Sequence, residues 1–224
     1  MEEKLIIRLS NNLGNQMFMY AAGYAASKKM KRNFYFDKVS SYNSYKNIYK
    51  FSLDRFKLTE KSLEPKYLFN GLSGYLKRKL LKKIDIFKLK KNFLLEKKDS
   101  NKKTFYDEKL FKYNYADTVY MEGYFESEKY FSDYANEIKK QFIPKQYNDL
   151  INNKYLPKIR QTDSVSLCIR QNRFSEKYGK INVNDDYKSN KFLSDQINYI
   201  HKAISYFRNK LNNPVFYLWS NNLK

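Results

Sequence analysis

The chain opens on a short apolar run, Leu5-Ile6-Ile7-Arg8-Leu9, which has the pattern of a buried strand. Behind it Phe18, Ala21, Ala22, Ala25 and Ala26 recur on one helical stripe. Strand, tight loop and helix are predicted, with Gly14 permitting a turn that a side chain would hinder and the alanines letting the helix approach a sheet closely. Asn33-Phe34-Tyr35-Phe36-Asp37 predicts a second strand, so the chain begins β-α-β with a crossover and a parallel sheet. Residues 38 to 72 are polar and aromatic with little periodicity and read as loops and short helices. Residues 75 to 91 form an amphipathic helical pattern: Leu76, Leu80, Ile84 and Phe87 share a stripe, with Lys77, Arg78, Lys79, Lys82 and Lys83 around the other side. Residues 97 to 103 read as a charged connection. Thr118-Val119-Tyr120-Met121 is a strand closed by Glu122-Gly123, and Ser127 begins a helix that runs to about Gln141.

Pro144 and the Asn-rich stretch to Asn153 read as a linker, which divides the chain into residues 1–150 and 151–224. The second part repeats the alternation: a strand over Ser164–Ile169, a helix over about Lys191–Leu211, and an apolar strand over Pro214–Trp219. Both strand ends are polar, carrying Arg170 and Arg173 at one and Ser220 and Asn221 at the other. Ligands of open α/β sheets bind beyond the carboxyl ends of the strands. The loop over residues 11 to 16 contributes Gly14, Asn15 and Gln16, and a loop that opens a helix offers free N–H groups to an anion. Taken together, the three loops point to a cleft between two α/β units. Each alone reads equally well as an ordinary strand-to-loop corner.

Composition sharpens this picture. There are 44 Lys and Arg against 23 Asp and Glu, a net charge of +21, so the partners expected are acidic: nucleotides, nucleic acid or an anionic membrane surface. Aromatics make up 18% of the chain, which supplies the burial that disordered chains lack. One cysteine, Cys168, excludes an internal disulfide and a multi-cysteine metal site, and one histidine, His201, argues against a Ser-His-Asp triad. No segment approaches the roughly 18 apolar residues of a membrane span. Met1-Glu2-Glu3-Lys4 is a poor start for a signal peptide, so a cytoplasmic protein is expected. The basic pattern over residues 75 to 91 predicts peripheral contact with the inner face of an anionic membrane, against the alternative of a solvated helix packed on its own domain.

Four stretches, in order, resemble the bacterial α-1,2-fucosyltransferases of glycosyltransferase family 11. Residues 4 to 37, KLIIRLSNNLGNQMFMYAAGYAASKKMKRNFYFD, resemble that family's opening strand, its Gly-Gly-Leu-Gly-Asn-Gln loop and its Ala-rich helix. VYMEGYFESEKYF (residues 119 to 131) is similar to its Gly-Tyr-Phe-Gln-Ser-Glu-Lys-Tyr-Phe segment, SVSLCIRQNRF (164 to 174) to its His-Ile-Arg-Arg-Gly-Asp-Tyr motif, and FYLWSNN (216 to 222) to its Phe-Ser-Asp-Asp strand end. The resemblance implies an α/β protein with two Rossmann-like domains of the GT-B type. The N-terminal domain would lie on the acceptor side and the C-terminal one would hold GDP-fucose. It also implies transfer of L-fucose to a galactose hydroxyl with inversion, without a cofactor and usually without a metal. Arg170 matches the first arginine of the family motif and would stabilise the charge that builds on the leaving diphosphate. Gly14, Asn15 and Gln16 would help position phosphate and acceptor, while Arg173, Ser220 and Asn221 would contact the donor.

The departures from the family pattern weigh on the donor. Asn11-Asn12 stand at its glycine pair, Cys168 at its histidine, Gln171 at its second arginine, Arg173 at its aspartate and Asn221-Asn222 at its Asp-Asp. Replacing a carboxylate with an amide keeps an acceptor oxygen but removes its charge. No catalytic base is assigned, since Glu122, Glu126 and Glu128 all read as surface or packing carboxylates. The family pattern continues beyond its Phe-Ser-Asp-Asp strand whereas this sequence stops at Lys224, so the second domain is expected to be incomplete and to bind GDP weakly. Two other functions fit: a degenerate relative that binds nucleotide or glycan without turnover, and a basic nucleic-acid-binding protein. No recognised RNA- or DNA-binding motif supports the latter, so no nucleic-acid partner is expected.

Overall fold

The fold is that of a computed structural model, which describes residues 2–42, 49–59, 61–100, 104–145, 150–171 and 183–220. Two compact units divide the chain, Met1–Lys145 and Gln146–Lys224. In the first, β1 (Lys4–Arg8) is central, pairing in parallel with β2 (Asn33–Asp37) on one edge and β4 (Tyr115–Glu122) on the other. β3 (Lys91–Leu95) extends the sheet on the far side of β4, giving the parallel order β2-β1-β4-β3.

Strand alternation assigns the two faces. Leu5, Ile7 and Leu9 join Phe36, Leu94, Val119 and Met121 in one core with α1 (Leu13–Lys29), which lies on β1 and β2. Burial of each large side chain there contributes about 1.5 to 3 kcal/mol. The approach of α1 requires Gly23: a Cβ there would come within 2.9 Å of Ile7 Cβ, Ile7 Cγ2 and the Phe34 ring. Ala21, Ala22, Ala25 and Ala26 are buried as the stripe predicts, but Phe18 is 37% exposed and Tyr20 takes the core position, ringed by Phe34, Phe36 and Phe142. On the opposite face Tyr120 meets Phe93 and Phe69, and α2 (Gly71–Asp85) packs on β3.

The pattern over residues 75 to 91 is corrected in two ways. The helix ends at Asp85, and residues from Lys91 onward are strand β3. Its inward side carries Gly74, Arg78, Leu81, Lys82 and Asp85, not the leucine stripe. Asp85 is buried and accepts hydrogen bonds from the N–H groups of Asn92 (2.6 Å) and Phe93 (3.1 Å), which locks the helix end to the strand. The helix expected from Ser127 begins instead as single 3-10 turns and becomes α3 only at Ala135–Gln141.

In the second unit, β5 (Ser164–Ile169) and β6 (Val215–Ser220) form a two-stranded parallel sheet, in register from Ser164↔Val215 to Ile169↔Ser220. Part of the expected linker is helical: α4 spans Leu150–Gln161, with Tyr155 set edge-on against Tyr217 and Trp219. α5 (Val183–Lys210) starts earlier than predicted and packs on β5. The chain is therefore mixed α/β with parallel sheets, consistent with a Rossmann-like fold.

Candidate functional site

The loop between β1 and α1 is built by asparagines. Asn11 has φ 67°, the left-handed conformation that Asn tolerates better than other side chains. It stands where the family pattern has a glycine, so that substitution keeps the turn. Asn12 caps α1, its side-chain oxygen accepting from the Asn15 N–H (3.5 Å). Gly14 does not make the turn: it lies inside the first turn of α1, is exposed, and a Cβ there would meet nothing within 4 Å.

Asn15 and Gln16, adjacent in sequence, are used differently. Asn15 is half-buried and donates through Nδ2 to Glu126 Oε1 at 2.7 Å. Gln16 is fully buried; its Nε2 donates to the carbonyls of Asn11 (2.7 Å) and Lys50 (2.8 Å), and its Oε1 accepts from the Ser52 N–H (2.9 Å). The amide of Gln16 is hydrogen-bonded within the fold, so this side chain holds the loop.

Where β1, β3 and β4 end, a recess of about 310 Å³ opens at the carboxyl edge of the sheet, lined by Arg8, Ser10, Lys82, Glu96, Glu122 and Tyr124 among others. Glu122 Oε2 accepts from Arg78 Nη1 at 2.7 Å and from Lys82 Nζ. Burial alone pushes the Glu122 carboxyl up, but Lys82 and Arg78 pull it further down and hold it below the ordinary carboxylate value. Its other oxygen, Oε1, is buried with no hydrogen-bond partner among the described residues, and so is Nε of Arg8. Burial, reinforced by the neighbouring Arg78 cation, lowers the Arg8 guanidinium from its usual value. Glu96 shapes the far wall: its two oxygens accept from the N–H groups of Tyr124 (2.7 Å) and Phe125 (2.9 Å), and burial pushes its carboxyl up. Gly123 (φ 156°) is needed there, since a Cβ would fall 2.3 Å from Glu96 Cβ. Phe125, fully buried, is held at φ 51°, which a bulky side chain otherwise avoids.

In the second unit Arg170 follows β5 directly and Ser220 ends β6, so register puts the two strand ends side by side. Gln196 of α5 fixes the backbone of Arg170 from both directions, accepting from its N–H (3.2 Å) and donating to its carbonyl (2.9 Å). Gln171 Nε2 donates to Ser220 Oγ at 3.4 Å. The Arg170 residue is exposed, while Ser220 is half-buried. Arg173 and Asn221 lie outside the described residues.

Sequence reasoning missed Arg8, Glu96 and Gln196. Arg8 interrupts an apolar strand, and that lone charge was the available signal; Gln196 sits in a polar helix and offers none.

No family profile matches the chain, and no solved structure matches it. It is similar to an alpha-1,2-colitosyltransferase of Escherichia coli, with 25% identity over 220 residues that cover 98% of this chain and 69% of that protein. The chain is a distant relative of a glycosyltransferase. The similarity supports glycosyl transfer as its general role, with a nucleotide-sugar donor and a glycan acceptor as the general partners.

Proposed function

We propose that the chain transfers a deoxyhexose, fucose or its analogue colitose, from a GDP-sugar to a galactose hydroxyl of a glycan with inversion. The reading follows the fucosyltransferase resemblance and a two-domain GT-B arrangement, with the second unit on the donor side. The observation that carries it is the pairing of Arg170 and Ser220 on adjacent strand ends, with Gln196 fixing the Arg170 backbone and the residue itself exposed. A guanidinium fork suits the diphosphate oxygen on which charge builds as the glycosidic bond breaks. Gln196 is a positioning residue in this scheme, and Arg173 and Asn221 complete the donor contacts.

The acceptor belongs in the recess of the first unit, whose Tyr124 hydroxyl accepts from Asn11 of the loop that leads to Gly14 and Asn15. A sugar hydroxyl both donates and accepts, and the recess offers one orphaned acceptor, Glu122 Oε1, and one orphaned donor, Arg8 Nε. Glu96 is the base of the proposal, because a carboxylate whose affinity for protons is raised by burial is better matched to taking a hydroxyl proton than the ion-paired Glu122.

Mass spectrometry of galactose-ended acceptors incubated with the full chain and either GDP-fucose or GDP-colitose tests the reading. One sugar residue added per acceptor is expected, a deoxyhexose mass from GDP-fucose or a mass one oxygen lighter from GDP-colitose, lost in Arg170→Ala. Colitose lacks one ring hydroxyl of fucose, so a donor site that hydrogen-bonds that hydroxyl rejects colitose strongly, whereas an apolar site accepts both. Absence of transfer from both donors, with GDP bound and the protein folded, would replace this reading with that of a non-catalytic nucleotide-binding relative.

A further inference from the structure

Helix α2 is inverted relative to an ordinary surface helix. Arg78, Lys82 and Asp85 turn inward, while Leu72, Leu76, Leu80 and Ile84 lie outward, with Leu76 55% and Leu80 58% exposed. The segment after the helix continues the apolar surface, with Phe87 88% and Leu89 93% exposed. Lys77, Lys79 and Lys83 stand among these side chains, with Lys90 beyond them, all exposed and without an ion pair among the described residues. The one acid of the helix, Asp85, is spent inside the fold.

We propose that the outward face of α2 and the segment through Lys90 dock on an anionic lipid surface, the leucines, Ile84 and Phe87 entering the acyl boundary and the lysines meeting the headgroups. The charge decides the occupant. A second copy of the chain would set Lys77, Lys79 and Lys83 against the same lysines, on a protein already carrying a net charge of +21. A nucleic acid offers phosphates but no aliphatic surface for the stripe. An anionic bilayer offers both in the depth that an interfacial helix occupies. Attachment is peripheral in this arrangement, since among the described residues no helix is long and apolar enough to cross a membrane. The proposal is independent of which sugar the protein transfers.

Sedimentation of the full chain with vesicles tests it, using phosphatidylcholine alone and phosphatidylcholine mixed with phosphatidylglycerol. Binding is expected only to the mixed vesicles and should weaken as salt rises. The triple variant Lys77→Gln, Lys79→Gln, Lys83→Gln should bind about a hundredfold more weakly at low salt. The double variant Leu76→Ser, Leu80→Ser should lose about tenfold or more. All five side chains are exposed, so circular dichroism and transfer to a soluble acceptor should stay at wild-type values; if the leucine variant misfolds, Phe87→Ser with Leu89→Ser serves in its place. Equal binding to both vesicles, or binding that neither variant weakens, overturns the proposal. So does a lipid-free dimer, seen by sedimentation velocity, that the leucine variant abolishes.

Discussion

The two units treat the polar residues at their strand ends in opposite ways. In Met1–Lys145, β1 is paired on both edges and the core includes Leu5, Ile7, Tyr20, Met121 and Tyr130, all essentially inaccessible. Polar groups at the end of that sheet are drawn into the fold: Gln16 knits two loops together and Glu122 neutralises two cations. In Gln146–Lys224, the described buried apolar residues are Val165 and Leu167, on a sheet of two strands. There the fold grips the backbone of Arg170 through Gln196 and leaves the residue exposed. The dense unit thus spends Gln16 and one oxygen of Glu122 on its own structure and leaves Glu122 Oε1 and Arg8 Nε in the recess without a partner among the described residues. The thin unit holds Arg170 by its backbone and keeps the residue exposed. Substitutions at the two kinds of position should therefore separate loss of activity from loss of stability.

Arg170→Ala should give the largest effect, and chiefly on activity. Removing a contact made to developing charge costs about 3 kcal/mol, more than a hundredfold in kcat/KM. Arg170→Lys should recover little, because an ammonium lacks the planar fork. The melting profile should move far less than activity, because the Gln196 bonds are to the Arg170 backbone and survive the substitution. A folded Arg170→Ala protein with wild-type turnover would break the comparison at its functional end.

Gln16→Leu should do the reverse. It leaves the Asn11 and Lys50 carbonyls and the Ser52 N–H without their partner, a loss of about 3 kcal/mol in all, so thermal unfolding of the first unit should shift down by about 10 °C. At a temperature where the variant is folded, its kcat/KM should stay near wild type. If activity falls while the melting temperature holds, Gln16 faces a ligand after all.

Glu122→Gln is next in size and carries a pH signature. The folded protein holds this carboxyl below its ordinary value, so its contribution to stability is present above the unfolded-state pKa and is lost as pH falls through the folded one. The wild type should therefore lose stability below about pH 4. The amide should cost about 2 kcal/mol at neutral pH, because Arg78 and Lys82 lose their partner, and should flatten the acid limb of the profile. Denaturant titrations at pH 3 to 7 check both; an acid limb unchanged by the substitution would remove Glu122 as its cause.

Much of this division was legible in the chain. β1, β5 and β6 are apolar runs ended by polar residues, and such runs have little choice but burial. The same breaks marked Arg170 and Ser220. β3 was hidden because Lys91-Asn92-Phe93-Leu94-Leu95 continues the lysine and leucine rhythm of α2, and short apolar stretches do not distinguish helix from strand. α4 was hidden by its asparagines and by Pro157, residues that favour loops unless tertiary packing, here Tyr155 on Tyr217 and Trp219, overrides them. The orientation of α2 was not readable either. Periodicity finds the apolar stripe, but which side turns inward depends on Glu122, a residue of a strand distant in sequence that draws Arg78 and Lys82 to itself.

The smallest effect expected is at Gly14, and it tests whether the first unit keeps any strand-end position for a ligand. The residue lies in the first turn of α1 with no left-handed φ and open space where a side chain would stand. Nothing in the fold needs a glycine there, so Gly14→Ala should raise stability by about 0.5 kcal/mol by restricting the unfolded chain. If a substrate approaches the backbone of this turn, the added methyl group stands in its way: KM should rise a few-fold with kcat unchanged, the mark of lost ground-state binding. Steady-state kinetics with donor and acceptor varied in turn would show which substrate is affected. Unchanged KM for both, in a variant that melts higher, would assign Gly14 to neither and move the ligand-facing surface of the first unit to Asn15 and the recess beside Glu96.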